Sequence, residues 1–176
     1  MHPEWYDDVT LYLFYTIVQK YGWEFMDKYM AKNPQWVRGH LGTARAVASG
    51  QAAVTFDTMT NVTLSLKKNN QPTDVAFSDV DPMPIWPQTT SIFKDAPHPN
   101  AAKLYITWLL AKEQQSRTGT WSTRLDVPPP SGHKPILDYQ LANDFRRFIT
   151  NEKLRKEMRK RFEGYIGKPK GEPVIR

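Results

Sequence analysis

The amino-acid sequence contains no cysteine in its 176 residues. Disulfide bonds, thiol catalysis and thiolate metal sites are therefore excluded, although the cellular compartment stays open. The sequence also lacks any run of about 18 apolar residues, so we predict no membrane insertion. Its first residues, MHPEWYDDVT, are acidic and aromatic, and they contain neither the basic nor the apolar region of a signal peptide.

The sequence motifs of the common enzyme classes are also absent. There is no GxSxG, HExxH or GxGxxG motif, no phosphate-binding P-loop and no EF-hand loop. The four histidines stand singly, and none has a second histidine or a carboxylate at helical ligand spacing. We therefore predict a protein that is not an enzyme and that holds neither a metal nor a cofactor.

The sequence is nevertheless rich enough in apolar side chains to fold. Apolar residues make up 40% of it and aromatic residues 12%, which argues against a wholly disordered chain. A chain of this length forms one ordinary domain, or two small lobes that share a core.

Positive charge is concentrated towards the C-terminus. The formal net charge is +6, and residues 146–176 contain eleven Lys or Arg and four Glu, a net charge of +7. Such a segment can bind nucleic acid or an anionic membrane. We favour the alternative, a surface helix that packs through an apolar stripe at helical spacing, and we predict no nucleic-acid partner. The stripe consists of Leu154, Met158, Phe162 and Tyr165.

Helices and strands are predicted to alternate along much of the chain. Helices are predicted at 6–20, 23–32, 43–49 and 61–68, after Pro99 and in the basic segment. Gly22 is expected to separate helices 6–20 and 23–32. Gly50 is expected to end helix 43–49 as a left-handed C-terminal cap. Strands are predicted at 36–38, 52–56, 74–78 and 89–94. The alternation over residues 34–78 is typical of an α/β fold.

Two segments of the chain are rich in proline. Residues 79–88 contain three prolines, so we predict an extended connection that does not lie inside a sheet. Residues 126–135 are predicted to form a loop or a polyproline segment.

His98 lies between two prolines in the stretch KDAPHPNAAK. As a metal ligand it would need distant partners that the sequence does not show. Proline is favoured at the first position of a helix, because its missing N–H would have no partner there. We therefore predict that Pro99 begins a helix and that His98 lies near its N-cap.

Asp57 is the best-placed polar residue for a binding site. It follows the predicted strand 52–56, and ligands of open α/β sheets bind beyond the carboxyl ends of strands. The alternative is that Asp57 or Thr58 caps the following helix, and the two roles are compatible. Arg38 follows a short predicted strand and would offer a bidentate partner for an anion. An ordinary surface ion pair is the alternative for Arg38.

Two stretches, ASGQAAVTFD and KDAPHPNAAKLYITWLLAKEQQ, carry a resemblance to a known family. With the order of elements from Trp5 to Pro130, they resemble the C-terminal half of the extracellular solute-binding proteins of ABC transporters, in the ferric-iron-binding branch. The resemblance implies a periplasmic-binding-protein-like fold of type II, in which two α/β lobes close on a solute. It also implies a periplasmic or extracellular location and, in a full-length protein, an ABC permease as partner.

The resemblance further implies how the chain is divided. Residues 1–78 would belong to the second lobe, 79–88 would be the hinge crossover, and 89–125 would return to the first lobe. Residues 126–176, the proline-rich loop and the basic helix, would pack back. Because the family chain is longer, the sequence would be a fragment or a truncated relative. Strand 89–94 would then lack sheet neighbours, so we expect a homo-oligomer, either a homodimer or a domain-swapped assembly.

A ligand-binding cleft also follows from the resemblance. Ferric-binding members have adjacent tyrosines after the strand that matches AAVTF, whereas Thr60 and Asn61 stand near that place here. We therefore expect a small polar or anionic solute rather than tyrosine-ligated ferric iron. Trp86 would stack on the ligand or simply pack. The residues expected on the cleft side are Arg38, Phe56, Asp57, Thr58, Asn61, Trp86 and Thr89.

Three other functions compete with solute binding. The first is a vestigial or structural module that oligomerises and has no small-molecule ligand. The second is a hydrolase that uses scattered histidines and aspartates, for which no motif exists. The third is nucleic-acid binding by residues 146–176, which would be sensitive to salt.

Overall fold

The computed structural model describes residues 8–36, 39–86 and 88–167. The chain divides into two compact units, each of which is described by itself. The first unit comprises the described residues up to Ile85 and from Leu141 onward, and the second unit comprises Trp86–Gln140. The boundary after Ile85 falls within the proline-containing segment 79–88.

Seven α-helices are found in the described part of the chain. The first unit contains α1 (Asp8–Ala31), α2 (His40–Ala48), α3 (Thr60–Lys68), α6 (Phe145–Thr150) and α7 (Glu152–Ile166). The second unit contains α4 (Pro99–Leu110) and α5 (Lys112–Arg117), followed by a short 3₁₀ helix at Ile136–Asp138. The helices predicted from apolar periodicity are all confirmed, with shifts of a few residues at their ends.

Glycine interrupts α1 and ends α2 as predicted. Gly22 has φ 74° and ψ 173°, so the helix is broken there although it runs on both sides. Gly50 has φ 75°, and its N–H donates to the carbonyl of Val47 beyond the last turn of α2. Both backbone conformations lie in the left-handed or extended regions that glycine adopts without a steric penalty.

The hydrophobic core lies in the first unit, where α1 packs against α6 and α7. Tyr12 is completely buried, and its ring lies 5.2 Å from that of Phe145 and 5.5 Å from that of Phe148. The ring of Phe162, from α7, lies 5.2 Å from that of Phe14. Full burial of one such side chain contributes about 1.5–3 kcal/mol, so a few aromatic residues account for much of the stability of this unit.

The apolar stripe predicted for the basic helix is confirmed. Met158 and Phe162 are buried, and Leu154 and Tyr165 are half-buried against the core. Asp8 of α1 accepts hydrogen bonds from Arg159 at 2.6 Å and from Arg155 at 3.3 Å. Part of the basic charge of α7 is therefore neutralised by its contact with α1.

One two-stranded sheet is found among the described residues. Strand β1 (Met83–Pro84) pairs in parallel with β2 (Leu141–Ala142), with Met83 opposite Leu141. The prediction that segment 79–88 does not lie inside a sheet is therefore wrong. A proline removes only one donor, and in a sheet of two strands each strand is an edge, where this loss is tolerated.

The strands predicted at 52–56, 74–78 and 89–94 are also wrong, since the structure has no strand there. Val54 and Phe56, which would share one face of such a strand, are 75% and 58% exposed, and Ala53 on the opposite face is exposed as well. A strand needs a neighbour to satisfy its backbone, and local sequence pattern does not supply one. In the predicted strand 36–38, Trp36 is not in a strand, while Val37 and Arg38 lie outside the described residues.

The second unit is a helix pair followed by a proline-rich loop. Pro99 occupies the first turn of α4 and His98 its N-cap position, as predicted, although His98 makes no side-chain capping bond among the described residues. No residue of α4 is buried, and its apolar side chains Leu104 and Trp108 are 71% and 50% exposed. The described structure therefore combines helices with a small parallel sheet, which is compatible with a fragment of an α/β fold.

Candidate functional site

The segment between α2 and α3 holds three of the residues that the sequence nominates for a binding site, and Asn61 follows in the first turn of α3. Asp57 lies here, half-buried, and its carboxylate accepts a hydrogen bond of 2.6 Å from the hydroxyl of Thr10. Thr10 is a buried residue of α1. The backbone N–H of Asp57 also donates to the hydroxyl of Thr55 at 3.3 Å. Asp57 is thus held in place by α1 and by its own loop.

Neither Asp57 nor Thr58 caps α3, so that alternative is wrong. The N-cap residue of α3 is Met59, whose side chain makes no capping hydrogen bond. The loop continues in extended conformation for one residue beyond Thr58, since Met59 has φ −77° and ψ 133°. This extra residue places both polar side chains before the position from which a side chain reaches the first-turn N–H groups.

Thr58 instead connects the N-terminal ends of two helices. Its hydroxyl donates a hydrogen bond of 3.1 Å to the backbone carbonyl of His40, the first residue of α2. Because α3 begins only two residues after Thr58, this hydrogen bond ties the first residue of α2 to the loop that leads into α3. The N-cap residue of α2 is Gly39, with φ 84°, which has no side chain to cap that end. We call this arrangement the helix-start junction, defined by residues 39–42 and 58–61.

The helix-start junction has the electrostatics of a site for a polar or anionic group. The first N–H groups of a helix have no acceptor within the helix, and each N-terminus acts as about half a positive charge. Leu41, Gly42 and Asn61 are exposed, and Thr60 is half-buried. The side-chain oxygen of Asn61 accepts from the N–H of Val62 at 2.9 Å. Three of these four positions are therefore exposed to solvent.

Thr63 lies behind the first turn of α3 with its hydroxyl oxygen unbonded by any described residue. It is 3% exposed. A buried hydroxyl without a partner is unusual, because its desolvation is not compensated. Nothing in the sequence pattern distinguishes Thr63 from the other residues of its helix. Among the described residues of α3, Thr63 alone has a buried side-chain polar atom without a hydrogen-bond partner.

Phe56 forms an apolar wall next to Asp57. Its ring meets the ring of Tyr29 edge-on, with centroids 5.4 Å apart, and it is 58% exposed. Tyr29 lies on the second half of α1, and burial raises the pKa of its hydroxyl above the ordinary value. The exposed face of Phe56 is therefore available to a solute, while its other face packs on α1.

The remaining nominated residues are not brought to this segment by the structure. Trp86 and Thr89 belong to the second unit and are both exposed. Arg38 lies outside the described residues, one position before Gly39 in the sequence. The sequence also missed Thr10 and His40 as partners of Asp57 and Thr58. No local pattern could have found them, because Thr10 is 47 positions from Asp57 in the chain.

A separate pocket of about 220 Å³ lies in the first unit between α1 and α7. It contains none of the nominated residues. Its lining includes Trp23, Met158 and Arg161, and the guanidinium of Arg161 lies 4.1 Å from the centroid of the Trp23 ring. Elsewhere, among the residues that the structure describes, no group of three His, Asp or Glu side chains is arranged to hold a metal ion.

Comparison with protein families gives a match that spans both sequence stretches, ASGQAAVTFD and KDAPHPNAAKLYITWLLAKEQQ, on which the resemblance rests. Residues 2–116 match the family model of the bacterial extracellular solute-binding proteins. The chain belongs to this family. A search of curated protein sequences found no match. The matched region includes α1, α2, α3 and α4, and therefore the whole helix-start junction.

Membership of the bacterial extracellular solute-binding family fixes the general role. The chain is a solute-binding protein with a role in solute uptake. Its family works with ABC systems and is generally non-enzymatic. The family is extracellular, which indicates a periplasmic or extracellular location. Of the helices in the described ranges, none has the length and apolar character needed to cross a membrane.

Proposed function

We propose that this chain is a non-catalytic solute-binding fragment or truncated relative of an ABC-type uptake protein, and that it takes a small polar or anionic solute at the helix-start junction. The observation that carries the proposal is the hydrogen-bonded link between the starts of two helices whose N-cap residues, Gly39 and Met59, make no side-chain capping hydrogen bond. A solute with acceptor oxygens would replace the water that otherwise solvates these N–H groups.

The electrostatic contribution of the junction favours an anionic group. An anion at one exposed helix N-terminus gains about 0.3–1 kcal/mol, and the junction contains two such N-termini. Backbone N–H groups at such ends are a frequent site for phosphate and carboxylate groups. Arg38, the residue before Gly39 in the sequence, would add a full positive charge and a bidentate donor.

Asp57 narrows the class of solute. Its carboxylate lies at the same loop and is an acceptor, so it would pair with a hydroxyl or amine of the solute rather than with its anionic group. Phe56 would cover an apolar part of the solute. We therefore favour a solute that carries both an acidic or strongly polar group and a hydrogen-bond donor. Trp86, in the proposed hinge crossover, and Thr89 remain proposed ligand-binding residues, as the resemblance implies.

The finer family assignment is part of the same proposal. We assign the chain to the C-terminal half of a type II binding protein of the ferric-iron-binding branch. Residues 1–78 belong to the second lobe, 79–88 to the hinge crossover, 89–125 to the segment that returns to the first lobe, and 126–176 to a region that packs back. Thr60 and Asn61 at the start of α3 are not phenolate ligands, so tyrosine-ligated ferric iron is not the proposed solute.

A substitution in the first turn of α3 tests the binding site. Asn61→Asp adds a negative charge where the proposal requires an anion to bind, and the same charge interacts favourably with the helix dipole. We expect solute binding to be lost while the stability of the free protein stays equal or rises. The matched control is Ser65→Asp, which adds the same charge to an exposed position one turn further along α3.

The readout is a thermal-shift screen against carboxylates, phosphonates, sugars and amines, followed by calorimetry on any hit. A solute at about 100 times its Kd stabilises the folded state by about 2.7 kcal/mol, which corresponds to about 5–10 °C in Tm for a chain of this size. The proposal fails if no compound stabilises the protein, or if Asn61→Asp binds a hit as tightly as Ser65→Asp does.

The exposed face of α4 favours a second function, an oligomerising module without a solute. A stripe that includes Leu104, Tyr105 and Trp108 is left uncovered in the second unit. Exposed apolar stripes of this kind are typical of surfaces that contact another protein. Here we propose self-association into a homodimer or a domain-swapped assembly, which is compatible with solute binding. Light scattering at micromolar concentration tests it, and a clean monomer would contradict it. An oligomer that responds to no solute would favour the second function alone.

A further inference from the structure

The pocket between α1 and α7 lies within the first unit and shares no residue with the helix-start junction. Its volume is about 220 Å³. Pockets that enclose drug-sized ligands have volumes of about 300–1,000 Å³, so this pocket suits a smaller compound. Helix α7 lines it with one helical face, at spacings of three and four residues. The lining positions are 154, 157, 158 and 161 on α7, and 15, 18, 19 and 23 on α1.

The floor of the pocket is apolar. Val18 is 7% exposed and Met158 is 3% exposed, and both belong to the hydrophobic core. Trp23 follows the break of α1 at Gly22, where the backbone leaves helical geometry. Its half-buried side chain therefore does not continue the helical face formed by positions 15, 18 and 19. An apolar group that displaces water from this floor gains hydrophobic free energy.

The rim of the pocket carries a positive group that is held in place. The guanidinium of Arg161 lies 4.1 Å from the centroid of the Trp23 ring, a cation–π contact. It also interacts with the hydroxyl of Tyr165. A guanidinium has five N–H donors in a fixed planar arrangement, so these contacts leave donors for a carboxylate. Arg161 is itself exposed, and a ligand can therefore reach it from solvent.

The rim also carries a negative group. Glu157 is exposed and precedes Arg161 by four residues, a spacing at which opposite charges on a helix often pair. On the same helix, Glu152 and Lys156 do pair at this spacing, at 2.6 Å. Glu157, in contrast, forms no ion pair with any residue that the structure describes. The rim therefore presents a carboxylate and a guanidinium that are neighbours but are not paired with each other.

We propose that this pocket is a second binding site, and that it takes a small zwitterion with an apolar body, such as a free amino acid with an apolar side chain. The ammonium of the ligand pairs with Glu157, its carboxylate pairs with Arg161, and its side chain lies on the floor. A ligand with one charge only would satisfy one rim group and leave the other without a partner. The site goes beyond the proposed function and does not depend on it.

The probe is L-phenylalanine, titrated into ¹⁵N-labelled chain and followed by NMR. The indole N–H signal of Trp23 is identified by its absence in Trp23→Phe. We expect saturable shifts of this signal and of the backbone amides of residues 157–161. N-acetyl-L-phenylalanine lacks the ammonium and L-phenylalaninamide lacks the carboxylate. Each should bind about two- to fivefold more weakly, the range that one exposed ion pair gives.

A charge-neutral variant assigns the ammonium to its partner. Glu157→Gln should weaken the binding of L-phenylalanine by the same factor and leave the affinity for N-acetyl-L-phenylalanine unchanged. The matched control is Glu152→Gln, which removes an exposed carboxylate of the same helix outside the pocket lining. It should bind all three compounds as the parent protein does. Both substitutions are at exposed positions, and a circular-dichroism melt confirms that the variants are folded.

Three results would overturn the inference. The first is the absence of saturable shifts at Trp23 and residues 157–161 with L-phenylalanine. The second is equal affinity for the three compounds, because apolar contact alone would then account for binding. The third is loss of L-phenylalanine binding in Asn61→Asp, which would place the ligand at the helix-start junction. We expect Asn61→Asp to bind L-phenylalanine as the parent protein does, so this test is decided separately from the solute screen.

Discussion

Truncation of Phe162 to alanine should be among the most destabilising substitutions in this chain. The side chain is 2% exposed and comes from α7. Its ring lies 5.2 Å from that of Phe14 and 6.1 Å from that of Trp23, both on α1. A buried phenylalanine replaced by alanine costs about 3–5 kcal/mol, because apolar contacts are lost and a cavity is left. For a protein with about 5–15 kcal/mol of stability, this is a large fraction of the total.

Urea unfolding followed by circular dichroism measures the effect. We expect the midpoint to fall sharply for Phe162→Ala with little change in the slope, since the surface exposed on unfolding stays similar. The control is Leu125→Ala in the second unit, where the side chain is 86% exposed, and its effect should stay within about 0.5 kcal/mol. A loss below about 1 kcal/mol for Phe162→Ala, or an equal loss in the control, would refute the placement of the core between α1 and α7.

Three further predictions concern single charged or titratable groups. Burial, and the contact with the carboxylate of Asp144, raise the pKa of Tyr12 above its ordinary value, so its stabilising contribution is complete below the ordinary tyrosine pKa and is lost as alkaline pH passes the folded pKa; in an alkaline titration followed by tyrosine absorbance, Tyr12→Phe should remove a group that titrates later than an exposed tyrosine. Lys20 holds the pKa of Asp81 below its usual range. The stabilisation by this pair is therefore complete above the pKa of the unfolded carboxyl group and is lost as the pH falls through the folded pKa. Lys20→Met should raise the pKa of Asp81 measured by NMR titration. Asp8→Asn should cost about 1–2 kcal/mol in urea unfolding, because it weakens two charge-assisted hydrogen bonds to α7, and no loss would contradict that contact.

The helices were predictable because the signal for a helix is local. The stripe on α7 repeats at spacings of four and three, and that spacing alone predicts which side chains are buried. Gly22 and Gly50 were predicted as breaks for a similar reason, since a glycine after a periodic run marks a backbone that leaves the helix. These features depend on residues within about one helical turn.

The strands were not predictable in the same way, because a strand is stable only beside another strand. Residues 52–56 have the apolar composition of a buried strand, yet Val54 and Phe56 are exposed in the structure. The strand that does form, at Met83–Pro84, includes a proline and pairs with residues far along the chain. Its partner could not be read from the sequence, since nothing local links residues 83 and 141.

The candidate site was predictable in part. Asp57 was nominated because it stands at the end of an apolar run, and the structure gives that segment a definite geometry. The hydrogen bond from Thr10 to Asp57 and that from Thr58 to the carbonyl of His40 join residues 47 and 18 positions apart. Such contacts come from packing of whole helices, which composition and spacing do not specify.

NMR tests most directly whether the solute binds at the helix-start junction. A solute that stabilises the protein in the thermal-shift screen is titrated into ¹⁵N-labelled chain, and the backbone amide signals are followed. The account predicts that the largest shifts are those of the first-turn amides at residues 41–42 and 60–61, and that they vanish in Asn61→Asp. Shifts concentrated elsewhere, such as at Trp23 in the pocket between α1 and α7, with residues 41–42 and 60–61 unchanged, would contradict it.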